Sequence, residues 1–209
     1  MTQKRAIGFD FGGVIGGDPD IGHDFTHRGA ELQGVTTEEW RRVYFAHNHL
    51  INTGAKSKRD FWEHFLREFD QTDKLEQVLA LDQAMAAKYM GINQEVIAIS
   101  DELRSRGHKV GLLSNATAEV ARVIKGLGVE RHFDTFVFSA EIGLQKPDVA
   151  AFQHLATVLE VDIHDLIFID DTKVSLQTAA QAGFTPILFK SAEQLRGELK
   201  DLKLLAPIS

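Results

Sequence analysis

Residues 109–115 read Lys109-Val110-Gly111-Leu112-Leu113-Ser114-Asn115, a short apolar run that stops at two polar residues. Its length suits a strand buried on both faces. Upstream, Asn93 can cap a helix in which Val96, Ile97 and Leu103 recur at helical spacing, ended by Gly107. Downstream the textures alternate: a helix over about 118–127, a strand around 135–138, a helix over about 148–160, a strand at 166–169 and a helix to Gly183. A strand at 186–189 and a last helix follow, with Ser191 and Gln194 spaced as a capping box. Such alternation predicts an α/β fold with a doubly wound, Rossmann-like parallel sheet covered by helices on both faces.

Residues 6–9, Ala-Ile-Gly-Phe, belong to the same set of strands, yet the next strand arrives about 100 residues later. The interval is helical in pattern. Thr36 and Glu39 form a capping box ahead of a stripe of Trp40, Val43, Tyr44, His47, Leu50 and Ile51. Ser57 and Asp60 open a second helix carrying Phe61, Trp62, Phe65 and Phe69, and residues 74–90 supply a third. The expected organisation is an α/β core of residues 1–17 and 92–209, interrupted by an all-helical subdomain over 18–91. The chain enters that subdomain through Gly16-Gly17-Asp18-Pro19 and leaves near Gly91.

The 209 residues should fold to roughly 10,000 Å² of surface. With 44% hydrophobic and 25% charged residues, disordered and coiled-coil classes are excluded. A net charge of −7 opposes a nucleic-acid or anionic-membrane partner, because both require a cationic face. The absence of cysteine removes disulfides, thiol nucleophiles and thiolate metal sites. No stretch approaches a signal-peptide core or a membrane span, so a soluble cytoplasmic protein acting on a small molecule is the expectation. Oligomeric state is not encoded in any pattern found.

Open parallel sheets bind ligands beyond the carboxyl ends of their strands. Here those ends carry Asp10 with Gly12 and Gly13, then Ser114-Asn115, then Asp170-Asp171, and the loop after the third strand adds Gly143, Lys146 and Pro147. Taken singly, each has an ordinary structural explanation as a turn or a helix cap. Together, three carboxylates at one rim repel one another unless a cation compensates. Mg²⁺ with oxygen ligands and a substrate phosphate is the usual solution. A phosphoryl dianion beside Asp10, Asp170 and Asp171 would outweigh Mg²⁺ and Lys146, so backbone N–H groups and the Ser114 hydroxyl must also contribute. That chemistry suits phosphoryl transfer better than proton abstraction or hydride transfer.

At these residues the chain resembles the haloacid dehalogenase-like hydrolase superfamily, specifically its phosphatases with a helical cap inserted after the first strand. The sugar-1-phosphate phosphatase type and the N-terminal phosphatase of epoxide hydrolase are examples. The four signatures stand as Phe9-Asp10-Phe11-Gly12-Gly13-Val14-Ile15, Leu113-Ser114-Asn115, Gly143-Leu144-Gln145-Lys146-Pro147-Asp148 and Phe168-Ile169-Asp170-Asp171. The resemblance implies a phosphoric monoester hydrolase in which Asp10 is the nucleophile. Ser114 and Asn115 bind phosphate, and Lys146 neutralises charge. It further implies that Mg²⁺ is held by Asp10, Asp171 and the Gly12 carbonyl, with Asp170 a second acidic residue acting through water.

Two positions depart from that pattern: Gly12 where many relatives place a general-acid Asp, and Ser175 where many place Asn. A 2-haloacid dehalogenase, or a catalytically weakened binding or regulatory member of the fold, are the alternatives. The Asp170-Asp171 pair speaks against the first. Intact Asp10, Ser114, Lys146 and Asp171 oppose the second. The aromatics Trp40, Tyr44, Phe61, Trp62 and Phe65 read as bundle core. Asp18, Asp20, His23, Asp24 and His27 read as a solvated face, and His47 and His49 as side chains pointing apart.

Overall fold

The computed structural model describes residues 5–16, 21–86 and 91–206. Strands β1 (Ala6–Phe9), β2 (Lys109–Ser114), β3 (Thr135–Phe138), β4 (Leu166–Asp170) and β5 (Thr185–Leu188) form one parallel sheet in the order β3-β2-β1-β4-β5. The chain winds outward to β3 and then crosses back to β4, so β1 and β4 flank the switch point where such sheets open a crevice. Phe9 pairs with Leu112 and with Ile169, which brings Asp10 level with the ends of β2 and β4.

The strands are apolar throughout because both faces are covered. Period-two alternation sends Ile7, Phe9, Leu112, Ile167 and Ile169 into one cluster with α6 (Gln94–Ser105), α7 (Ala118–Gly126) and α12 (Ala192–Asp201). Ala6, Leu113, Leu166 and Phe168 face the other layer, where α9 (Val149–Val158) contributes Phe152 and Leu155. Each such side chain contributes roughly 1.5–3 kcal/mol on burial. The total surface is 10623 Å².

The inserted segment carries α1 (Ile21–Gln33), α2 (Thr37–His47), α3 (His49–Asn52), α4 (Lys58–Arg67) and α5 (Leu75–Ala86). They enclose a third apolar cluster of Trp40, Val43, Phe61, Trp62, Phe65 and Val78. The expected capping box is complete at α2: Thr36 Oγ1 accepts from Glu39 N, while Glu39 accepts from Thr36 N. Entry and exit lie side by side, since Gly16 bridges Ile92 and Asn93 N donates to Ile15 O at 2.8 Å. Lys58 of α4 pairs both with Asp82 of α5, at 3.0 Å, and with Glu119 of α7, linking the segment to the sheet layers. Among the described residues no helix is long and apolar enough to cross a membrane.

The helices differ from expectation at three places, the first being the stripe from Trp40 to Ile51, which breaks at Asn48 between α2 and α3. The helix predicted to reach Gly183 is instead two single turns, α10 (Lys173–Leu176) and α11 (Ala179–Ala182), with α8 (Ser139–Ile142) a similar turn after β3. Thr178 sits at the break because its hydroxyl donates to the Pro147 carbonyl at 2.6 Å, docking this segment on the lysine loop. The helix predicted from residue 74 begins at Leu75, after a 3₁₀ turn in which Lys74 Nζ donates to Leu32 O at 2.9 Å. Residues 87–90, Gly17, Asp18, Pro19, Asp20 and the His23 side chain lie outside the described set. Of the remaining cluster, Asp24 pairs with Arg28 and His27 is exposed.

Candidate active site

Asp10 extends β1 by one ladder bond, its N–H donating to Ile169 O at 2.9 Å, before Gly12 and Gly13 turn the chain. Its Oδ1 accepts from Phe11 N at 2.7 Å and from Lys146 Nζ at 2.9 Å. Among the described residues no partner bonds Oδ2. One carboxylate oxygen is therefore anchored and the other is available.

Lys146 lies in the loop after α8, its side chain only 2% exposed. Its ammonium bridges Asp10 and Asp170, reaching Asp170 Oδ2 at 2.5 Å. Asn115, just past β2, holds the lysine main chain from both sides. Its Oδ1 accepts from Lys146 N at 2.8 Å and its Nδ2 donates to Lys146 O at 2.7 Å. The amide expected to meet phosphate thus shapes the lysine loop. Ser139, unmarked in the sequence reading, is buried and accepts from Ala116 N at 3.0 Å, fixing the backbone next to Asn115. Ser114 ends β2 at 6% exposure, with no described bond to its hydroxyl.

Asp170 has no free oxygen. Oδ2 takes the Lys146 ammonium, and Oδ1 accepts from Thr172 N at 2.9 Å and Thr172 Oγ1 at 2.7 Å. It is the lysine's counter-ion here, and it stays within the group of three carboxylates that could hold a cation. Ser175 lies 2.8 Å from Thr172 Oγ1 and supports that threonine.

Asp171 is exposed and rests on Gly13. A Cβ at Gly13 would overlap the Asp171 carboxylate, and Gly13 has a φ of 69°. Glycine is required there on both counts. Gly13→Ala should therefore displace Asp171 and weaken divalent-cation affinity by about 10- to 100-fold, the usual cost of disturbing a ligand's support. Isothermal titration calorimetry reads this directly, and unchanged affinity would remove Asp171 from the site.

The electrostatics follow from burial with too few compensating charges. Burial, opposed by Lys146 and reinforced by Asp170 and Asp171, pushes the Asp10 carboxyl up to about 7. Burial and then Asp170 raise Asp171. Asp170 is also buried, but Lys146 and Thr172 overcome that cost and hold it below the ordinary carboxylate value. Lys146 pays the same desolvation, yet the two aspartates outweigh it and keep it charged. One ammonium against three carboxylates leaves the rim short of positive charge. Ligand atoms of Asp10, Asp170 and Asp171 lie within 4.8 Å of one another, a donor set of hard oxygens suited to a divalent cation. Of the three, Asp171 is the most exposed and Asp170 the most buried.

Residues 4–183 match the model of the haloacid dehalogenase-like hydrolases. The chain belongs to that family. This haloacid dehalogenase-like hydrolase is 30% identical to Phosphatase MT3486 of Mycobacterium tuberculosis over 135 residues, 62% of each chain. It is 24% identical to the bifunctional epoxide hydrolase 2 of Mus musculus over 123 residues, 56% of this chain and 22% of that protein. It thus spans less than two thirds of either curated relative. A HAD-like family hydrolase from Porphyromonas gingivalis superposes with a TM-score of 0.70 at 22% identity, covering 96% of this chain and 98% of that one. A HAD family enzyme of Bacteroides thetaiotaomicron, in complex with magnesium and inorganic phosphate, gives 0.66 at 18% identity over 90% and 95%. A dehalogenase gives 0.62 at 20% over 95% and 98%. At these identities the structural likenesses speak for the fold.

Proposed function

We propose that this hydrolase cleaves small phosphate monoesters in the presence of Mg²⁺ through an aspartyl-phosphate on Asp10. The observation that carries the reading is the Asp10 carboxylate, with Oδ1 fixed by Phe11 N–H and Lys146, Oδ2 without a partner among the described residues, and Asp171 in the same cluster. Asp171, the Gly12 carbonyl and the Asp10 oxygen that does not attack would hold the ion, with Asp170 acting through water, and the ion would supply Lewis-acid polarisation and neutralise phosphoryl oxygens. The phosphatase relative supports this choice within the family.

Asp10 Oδ2 attacks phosphorus in line. The Oδ2–P bond forms as the P–O bond to the leaving group breaks, and the departing oxygen takes a proton from water. Lys146 and the Ser114 hydroxyl bind the transferring oxygens, and Asn115 keeps the lysine loop in place. Water then attacks phosphorus, breaking the Asp10–O–P link and returning the carboxylate.

With Gly12 where an acid would otherwise stand, leaving groups of low basicity such as an anomeric sugar hydroxyl are favoured. A Cβ built at Gly12 meets nothing within 4 Å. Gly12→Asp should therefore fit, and should raise kcat/KM on alkyl phosphates by about 10²-fold, the low end of general acid–base effects, while changing aryl phosphates little. Equal effects on both substrates would show that no proton is delivered from that position.

Helices α1–α5, over the proposed 18–91 unit, act as the cap. A cavity of ≈ 120 Å³ between them and the end of β2 is lined by Phe25, Tyr44, Asn52, Met85 and Asn115, and receives the leaving group. Closure excludes water, as lids do. The deciding experiment is a metabolite-phosphate panel run with Mg²⁺ and with chelator, reading phosphate, with 2-haloacids as a parallel arm reading halide. Mg²⁺-dependent phosphate release without halide release is expected. Halide release that needs no ion would replace this reading with a dehalogenase, and neither product would favour a binding role.

A further inference from the structure

A second group of ligating side chains is made wholly by α2 and α4. His47 ends α2, His64 lies in the last turn of α4, and Glu68 caps α4 one turn further on the same face. Trp40 and Val43 of α2 share a buried cluster with Phe61 and Phe65 of α4, which fixes the two helices against each other. The sequence pairs His47 with His49 only to separate them. The fold pairs it with His64 instead.

His64 Nε2 stands 3.3 Å from His47 Nδ1, with the ring planes at 85°. That is long for an N–H···N hydrogen bond. It matches the edge of a tetrahedron whose nitrogens sit about 2.0–2.1 Å from a central ion. Glu68 Oε1 lies 3.9 Å from His47 Nε2, the ring nitrogen other than the one facing His64, and one ligand atom from each of the three residues falls within 4.8 Å of the others. Glu68 is exposed, so its carboxylate can close the remaining distance by rotation.

We propose that His47, His64 and Glu68 form a site for a borderline divalent cation of the Zn²⁺ class, clamping the C-terminal ends of α2 and α4, with water in the fourth position. Imidazole ligands select this class over Mg²⁺. The C-terminal ends of α2 and α4 converge here, and the negative ends of their dipoles favour a cation. Burial first, then the neighbouring His47, Lys56 and Arg67, hold His64 below the ordinary histidine value against the pull of Glu68. Of the opposing cations, Arg67 is engaged by Glu63 at 2.6 Å. The site is independent of the reaction proposed for Asp10.

The test is calorimetric titration of Zn²⁺ into the full chain under saturating Mg²⁺, which occupies the carboxylate rim. One Zn²⁺ per chain is expected, weakened at least about 10-fold in H47Q and in H64Q, more modestly in E68Q, and unchanged in H49Q, whose ring is exposed. Co²⁺ should give a visible d–d band in the unmodified protein that H64Q abolishes. Equal Zn²⁺ affinity in the unmodified chain, H47Q and H64Q would place the ion elsewhere and overturn the proposal, as would no binding beyond Mg²⁺. Should either variant unfold by circular dichroism, histidine ring spectra of the unmodified protein decide. Zn²⁺ must shift His47 and His64 and spare His49; shifts elsewhere alone overturn it.

Discussion

Asp10→Asn is expected to abolish Mg²⁺-dependent turnover of p-nitrophenyl phosphate, by about 10⁴-fold or more, while stabilising the ion-free protein at pH 8. The first effect follows from removing the nucleophilic oxygen. The second follows from charge. Burial raises the Asp10 carboxyl to about 7, above its ordinary 3.8. The folded state thus binds this proton more tightly than the unfolded state. The benefit is complete below about 4, and it is lost as pH rises through 7. An asparagine cannot ionise, so it avoids a cost of about 2–4 kcal/mol at pH 8. Melting temperatures in chelator should show the variant well above the parent at pH 8, with the gap shrinking as pH falls and closing only below about pH 4, where Asp10 is protonated in both folded and unfolded chains. Retained turnover would refute the assigned nucleophile. A variant less stable at pH 8 would refute the charge imbalance.

Lys146→Ala is expected to destabilise the protein by about 3–5 kcal/mol at pH 8, the usual penalty for leaving a buried charge without its partner. Asp170 is fully buried, and Lys146 holds it below the ordinary carboxylate value against desolvation. A carboxyl lowered in this way contributes stability above its unfolded value and loses it as pH falls through the folded one. Without the lysine the same carboxyl becomes a burden that protonation relieves, so the deficit should shrink between pH 8 and pH 5. Urea midpoints at the two pH values measure it. A deficit independent of pH would mean that lost packing, such as the lysine's approach to the Phe168 ring at 5.2 Å, dominates over charge. Turnover should disappear at either pH.

The strands and their polar ends were legible in the sequence because a doubly covered sheet demands uninterrupted apolar runs, and those runs stop where Asp10, Ser114 and Asp170 begin. Helix starts were legible where a cap bonds within three residues, as at Thr36, Ser57 and Asn93. Contacts that join distant segments were not. The grip of Asn115 on Lys146 and the bond from Thr178 to Pro147 each span 31 positions, and no local pattern announces them. The single turns of α10 and α11 follow from the second of these, so periodicity alone ran them into one helix. The resemblance gave Asp171 a direct role toward the ion and Asp170 one through water. The strand's alternation turns one inward to Lys146 and the other outward onto Gly13, which separates their work. The meeting of His47 with His64 depends on how α2 packs on α4, information that resides in the tertiary fold.

The most direct measurement is single-turnover reaction with a ³²P-labelled phosphate monoester and Mg²⁺, quenched in acid and followed by peptide mapping. The label should sit on the peptide containing Asp10, decay at the rate of phosphate release, and be absent with chelator or in the Asp10→Asn variant. Phosphate release with no labelled peptide, or with label on another residue, would contradict the assignment of Asp10 as the group that carries the phosphoryl.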